Sequence, residues 1–245
     1  MKSYGKVVRG EKAPHGLGNR LLDCLPHAEF KRLFAGVEPV TLEFGEVLHE
    51  PGARIRHVYF PINAVVALLT TATGHKAVKV ALVGNEGVVG IPLALGIDTS
   101  SSRALVQGTG VAIRIESALF RAEVLRSQPL QQALFQFKHA LTGQIAQSAA
   151  CKQFHSVQAR LARYLLMTGD RARSIEFCLT QEFIADMLGV RRPSITIAGN
   201  SLRRRALIKT GRGRITILDQ KRLGAASCEC YQAIKGMYAR AYANS

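Results

Sequence analysis

The sequence predicts an α+β chain: an N-terminal antiparallel β-roll of the double-stranded β-helix or jelly-roll type, a long central dimerisation helix, and a C-terminal winged helix-turn-helix. Three observations carry that expectation. Between Pro39 and Ile115 short β-branched runs are punctuated by glycines at 45, 52, 74, 84, 87, 108 and 110. After Ser127 the apolar residues change to alternating steps of three and four. From Thr180 a helix cap, a glycine and a first-turn proline fall in register with a basic hairpin.

Composition bounds the possibilities. At 245 residues the chain can bury a real core, and 47% hydrophobic against 20% charged residues describes a globular protein, not a disordered one. Lys and Arg total 33 against 17 Asp and Glu, a formal charge of +16 with a pI of about 10.2. Such an excess favours polyanionic partners, either nucleic acid or an anionic membrane surface. The longest apolar run, Pro61 to Leu69, is far short of the ~20 residues of a spanning helix, so no membrane-spanning segment is expected, and of the two polyanions nucleic acid, not membrane, is the expected partner. The start, MKSYGKVVRGEKAPHGLG, is basic without an apolar segment, and residues 1–20 are expected to form a basic arm. Cys24, Cys151, Cys178, Cys228 and Cys230 are odd in number and widely spaced, which argues against a disulfide framework and for a reducing cytoplasm.

The roll is expected over residues 21–127. LLDCLPHAEFKRLF, Leu21 to Phe34, has helical spacing in front of it. Strict alternation at Val40-Leu42-Phe44 and Val111-Ile113-Ile115 then marks half-buried strands, and short strands with regular turns close into a barrel or sandwich.

The dimerisation helix is expected over 128–155. Pro129 suits a first turn, and Leu130, Leu134, Phe137, Leu141 and Ile145 form a heptad-like seam. The seam fits a helix packed on its own domain or one paired with its twin. Its place between two differently composed halves favours the twin.

The winged helix-turn-helix is expected over 156–223, followed by a helical tail over 224–245. VQARLARYLLM, Val157 to Met167, is helical, with Thr168-Gly169-Asp170 expected to break it. Thr180 is an N-cap, and Phe183, Ile184, Met187 and Leu188 give the apolar face of a short helix. Gly189 stands where a tight turn needs positive φ, and Pro193 places the next helix start near Arg191. Ile195, Ala198, Gly199 and Leu202 would face inward; Arg192, Ser194, Ile197, Asn200 and Ser201 would face outward. ALIKTGRGRITIL reads as a hairpin carrying Lys209, Arg212 and Arg214.

That arrangement suits DNA. A helix N-terminus attracts phosphate, and Arg191 and Arg192 there reach phosphates or the O6/N7 edge of guanine. Ser194 can bond a phosphate, Ile197 can touch a thymine methyl, and the wing arginines can grip adjacent backbone. Thr180, Gln181, Asn200 and Ser201 complete the expected DNA-binding set with Arg212 and Arg214. From Asp170 to Arg222 there are 12 Lys/Arg against 5 Asp/Glu.

LLDCLP…VTLEFGEVLHEPG…VYFP…VGNEGVVGIPLALG, LTQEFIADMLGVRRPSITIAGNSLRRRALI and the tail ASCECY resemble the Crp/Fnr family of bacterial transcription regulators, over about Leu21 to Leu223. The resemblance implies a bacterial cytoplasmic homodimer, paired through the long helix, binding near-palindromic promoter DNA under control of an effector not identifiable from the sequence. It adds RNA polymerase as a candidate partner. Its effector positions would be Gly90, Ile91, Ser102 and Arg103. Cyclic-AMP members of the family carry a glutamate where Ile91 stands, so cyclic AMP is not the expected ligand. An iron–sulfur cluster needs clustered cysteines, and only Cys24 lies near the start. His57 and His75 match a haem ligand by residue type alone. Where many members read DNA with an Arg-Glu…Arg set, this chain has Arg192, Pro193 and Ile197, so its operator should differ.

Cys228 and Cys230 make a Cys-x-Cys pair. Two thiols cannot fill a zinc shell without partners from elsewhere; they read as thiols packed in a terminal helix, with no metal expected, and the alternative is an oxidant-sensing pair. No Ser/His/Asp triad motif, P-loop, GxGxxG after a strand or HExxH argues for an enzyme. The rivals are an effector-independent DNA-binding dimer and a small-molecule-binding module acting through protein partners.

Overall fold

Alternating side chains produce two antiparallel sheets. The computed structural model describes residues 16–33, 37, 39–71, 77–211 and 213–243. Most of the basic arm, with Phe34, His75 and Arg212, lies outside the described residues. One sheet orders β1 (Pro39–Leu42), β7 (Gly110–Glu116) and β3 (His57–Pro61). The other orders β2 (Val47–His49), β6 (Arg103–Gly108), β4 (Val65–Thr70) and β5 (Val78–Val83). Register shifts at Val65/Val66 and Leu68/Leu69 mark where strand β4 leaves regular pairing, as bulges do where sheets curl. Val58, Phe60, Val66, Leu82, Val106 and Ile115 are fully buried, and β3 and β4 are covered along both faces: Val66 pairs with Val106 on one side of β4, and its neighbour Ala67 pairs with Leu82 on the other.

The expected leading helix is two short ones, α1 (Arg20–Asp23) and α2 (His27–Leu33), separated at Leu25-Pro26. Asn19 caps α1, its Oδ1 accepting from Leu22 N–H at 3.2 Å. Its Nδ2 donates to the Pro61 and Gly87 carbonyls at 2.8 and 2.9 Å. Residues 16–20 therefore belong to the roll, a correction to the arm boundary at residue 20. A helix absent from the sequence reading, α3 (Ser117–Arg126), sets Phe120 against Phe60, with ring centroids 6.1 Å apart.

The long helix α4 (Gln128–Phe154) begins as expected: Ser127 Oγ accepts from Leu130 N–H, with Pro129 in the first turn. Its seam is corrected. Leu130, Leu134, Phe137 and Leu141 are buried within the same chain, against α9 (Cys230–Ala241), β5 and α3. Phe137 lies over Gly87, where an added Cβ would come within 1.9 Å of the ring, and beside Tyr238 at 6.2 Å between centroids. Heptad spacing shows that a stripe is covered but does not say by what, and here the tail folds back to cover it. Of the five expected interface residues only Ile145 is exposed, at 37%. The open stripe is a different one: Gln132, Phe135, His139, Thr142, Ala146 and Ala149, again at alternating steps of three and four. Phe135 on it is 50% exposed.

Helix α5 (Val157–Ala172) runs through Thr168-Gly169-Asp170, where a break was expected. Thr168 turns its hydroxyl onto the Tyr164 carbonyl one turn back, at 2.9 Å, and so stays helical. Gly169 is needed for space: a Cβ there would stand 3.0 Å from the Ser174 carbonyl and 3.3 Å from Phe177. The helix ends at Arg173 in the left-handed region, φ 51°. Two buried polar groups fasten α5 to the roll. Tyr164 Oη donates to Gln107 Oε1 at 3.1 Å, and Arg171 pairs with Glu86 at 2.8 Å while donating to Gln144 Oε1 at 2.9 Å.

Candidate nucleic-acid interface

Beyond α5 come β8 (Glu176–Cys178), α6 (Gln181–Leu188), α7 (Arg192–Arg204), β9 (Ile208–Gly211), β10 (Arg214–Ile217) and α8 (Gln220–Ala226). The strands order β8-β10-β9, so the expected hairpin gains a third strand that the sequence reading missed. At three residues, β8 is too short to show a period.

The two-helix unit follows from its caps. Thr180 Oγ1 accepts from Phe183 N–H at 3.1 Å and starts α6. Gly189, φ 61°, ends it, its N–H returning to the Ala185 and Asp186 carbonyls. A side chain would be strained there. Arg191 is the extended N-cap of α7, with Pro193 in the first turn and no side chain bonded across that end. Ile195, Ala198 and Leu202 bury against α5 and α6.

The opposite face of α7 is open. Arg191, Arg192, Ile197 and Asn200 are exposed, as expected, and Ile197 reaches 70% exposure. Ser194 and Ser201 are half-buried flanks of the same face. Gln181 is engaged instead: its Oε1 accepts from Thr196 Oγ1 at 2.7 Å, tying α6 to α7. Arg214 is paired with Glu176 of β8. Arg203 and Arg204, left out of the expected set, are exposed three and four residues beyond Asn200 and extend the cationic face by a turn. Their spacing from Asn200 was the signal for them.

The back of α6 rests on the roll. Phe183 meets Phe44 with centroids 5.0 Å apart, while Arg160 of α5 donates to the Leu188 carbonyl at the end of α6. A small cleft behind it gathers Lys79, Lys152, Arg160 and Arg163. Burial, reinforced by the neighbouring arginines, pushes the Lys79 ammonium well below its usual range.

The expected effector positions are already occupied within the chain. Gly90, φ 103°, precedes the 3-10 turn Ile91–Leu95, and Ile91 is buried. Arg103 donates from Nε and Nη2 to Glu50 Oε1 at 3.1 and 2.8 Å. Ser102 is half-buried, its carbonyl accepting from Ser100 Oγ at 2.7 Å. His57 is half-buried, and its carbonyl lies 3.0 Å from the His49 ring Nε2. Cys228 and Cys230 do not stand alone in the fold. Among the described residues it brings Cys151 and His155 beside them, from some 75 residues away in the chain. No helix is long and apolar enough to cross a membrane among the described residues.

Residues 159–226 match the family model of the Crp-like helix-turn-helix domain. The chain is similar in structure to FixK2 from Bradyrhizobium japonicum, at 13% identity over 78% of this chain and 98% of that one, with a TM-score of 0.65. It is likewise similar to a CRP-family transcriptional regulator from Thermus thermophilus, at 22% identity over 78% and 99% of the two chains, TM-score 0.61. A CRP/FNR-family regulator from the same organism gives 19% identity over 78% and 98%, TM-score 0.62. At these identities the likeness is one of fold. Among curated proteins, none matches the sequence.

Proposed function

We propose that this chain, which has the fold of Crp/Fnr regulators and matches the Crp-like helix-turn-helix domain over residues 159–226, is a regulator of that type: a homodimer that binds near-palindromic promoter DNA, one α7 per half-site. The observation that carries this is the open face of α7. It has Arg191 and Arg192 at an uncapped helix N-terminus, Ile197 and Asn200 one and two turns on, and Arg203 and Arg204 at its end. The N-terminal dipole and the arginines favour phosphate and guanine edges, and Ile197 offers an apolar contact to a thymine methyl. Arg191, Arg192, Ile197 and Asn200 are the base-reading candidates, with Ser194 and Ser201 at their margins. The wing brings Arg214 to the flanking backbone.

Dimerisation uses the open stripe of α4 that carries Phe135, with the exposed Ile145 beside it, in place of the buried part of the expected seam. Its heptad spacing and its half-exposed aromatic suit a two-fold helix pair. The Arg103–Glu50 pair and the buried Ile91 favour a regulator indifferent to cyclic AMP.

Selection of random duplex DNA on the purified protein, with and without cyclic AMP, tests both statements. A two-fold motif with half-sites ~34–36 Å apart is the expected product, unchanged by the nucleotide. Arg192→Ala should weaken the selected site by ~1–3 kcal/mol, roughly 5- to 150-fold, and random DNA much less. Selection without a motif would refute sequence-specific binding, and nucleotide dependence would refute the indifference.

A further inference from the structure

Four metal-ligating side chains converge where α4 hands over to α5. Cys151 lies in the last turn of α4, and His155 is its C-cap, one helical turn on. Cys228 sits in the loop after α8, and Cys230 is the first residue of α9. We propose that Cys151, His155, Cys228 and Cys230 hold a single zinc-class ion in a closed tetrahedral shell of three thiolates and one imidazole.

The geometry is that of one ion. All four donor atoms lie within 4.8 Å of one another. Cys151 Sγ is 3.5 Å from Cys228 Sγ, and Cys230 Sγ is 3.5 Å from His155 Nδ1. Zinc bonds of ~2.3 Å to sulfur and ~2.0–2.1 Å to nitrogen give tetrahedral edges of about 3.8 and 3.5 Å. The cluster therefore needs only a slight adjustment, and there is no room in it for several irons. Cys151, Cys228 and Cys230 are buried, packed as a group apart from the main core.

The surroundings fit a thiolate-rich centre. His155 Nε2 lies 2.9 Å from Glu229 Oε1. A proton held there leaves the Nδ1 lone pair facing the thiols, the carboxylate–histidine–metal arrangement. Gln147 Nε2 donates to Cys230 Sγ at 3.1 Å. Arg163 is buried nearby, its Nε and Nη1 without a hydrogen-bond partner among the described residues, and its charge is felt at both Cys151 and Cys228. A divalent ion with three thiolates and neutral imidazole carries one net negative charge, its three thiol protons passing to solvent. That charge compensates the guanidinium. A four-ligand shell leaves no open position, so the role is structural. The ion ties the α4–α5 junction to the chain's C-terminal helix, the same helix that covers the α4 seam.

Elemental analysis of the full-length, tag-free protein purified under reducing conditions with zinc in the medium tests the site. One zinc per chain is expected, falling to none in Cys151→Ser/Cys228→Ser. Cobalt(II) added to the chelator-stripped wild type should develop the intense visible bands of tetrahedral thiolate coordination, which zinc abolishes. This second arm does not depend on the folding of any variant. Glu229→Gln, which touches no donor sulfur, should keep the stoichiometry and weaken affinity roughly 10- to 100-fold. Wild type that binds neither metal, a Cys151–Cys228 disulfide in its place, or full zinc content in the double variant would each overturn the proposal.

Discussion

The Arg171–Glu86 pair is the sharpest point at which to perturb the junction between the roll and the helix-turn-helix half. Both side chains are almost fully buried, 7% and 6% exposed. Arg171 Nε donates to Glu86 at 2.8 Å, Nη1 to the Met167 carbonyl at 3.2 Å and Nη2 to Gln144 Oε1 at 2.9 Å. Glu86 Oε2 has no hydrogen-bond partner among the described residues, so the carboxylate depends on the guanidinium bonded to its Oε1. Arg171→Met strands a buried carboxylate and leaves Gln144 Oε1 without its donor. Breaking one side of such a pair costs ~3–5 kcal/mol. At ~2–4 °C per kcal/mol for a chain of this size, the melting temperature should drop by on the order of 10 °C. Glu86→Gln strands the cation in turn and should cost a similar amount. Replacing both by Met removes the charges together and should return most of the loss, leaving the double variant within about 2 kcal/mol of wild type. Thermal and urea unfolding followed by far-ultraviolet circular dichroism measure all four proteins. Little of the effect should respond to salt, because the pair is shielded from solvent. Additive losses in the double variant would refute the reasoning and reassign the pair to space-filling.

Three further outcomes follow from single positions. Burial of His49, next to the His57 carbonyl, holds its imidazole below the usual range. The unfolded chain then takes up the proton first, so stability present above pH ~6.5 should be lost as pH falls towards the folded value. His49→Gln should flatten that loss in a pH series of urea midpoints. Ala206 ends α7 with φ 53°, a conformation natural to glycine, and Ala206→Gly should raise unfolding free energy by about 0.5–1 kcal/mol. Gly87→Ala would drive a methyl to 1.9 Å from the buried Phe137 ring, and a loss of ~1–3 kcal/mol is expected in the same denaturation assay.

Local chemistry settled much of this protein in advance. Thr180, Gly189 and Pro193 act at single residues, through a hydroxyl cap, a left-handed turn and a missing N–H, so their meaning survives without knowledge of neighbours. The same holds for Ser127 and Pro129 at the start of α4, and for the period-2 strands of the roll. The outward face of α7 was likewise legible from spacing, apart from Arg203 and Arg204. What spacing cannot carry is the identity of the surface a stripe meets. The α4 seam was legible as buried, but only the fold shows that α9 and the roll bury it, and that a second stripe stays open. Thr168-Gly169-Asp170 looked like a break because each residue disfavours helix alone, whereas close packing on Phe177 selects the glycine and holds the turn. The joining of Cys151 and His155 to Cys228 and Cys230 is of the same kind. Those pairs lie some 75 residues apart, and only the return of the C-terminal helix along α4 places their donors in one shell.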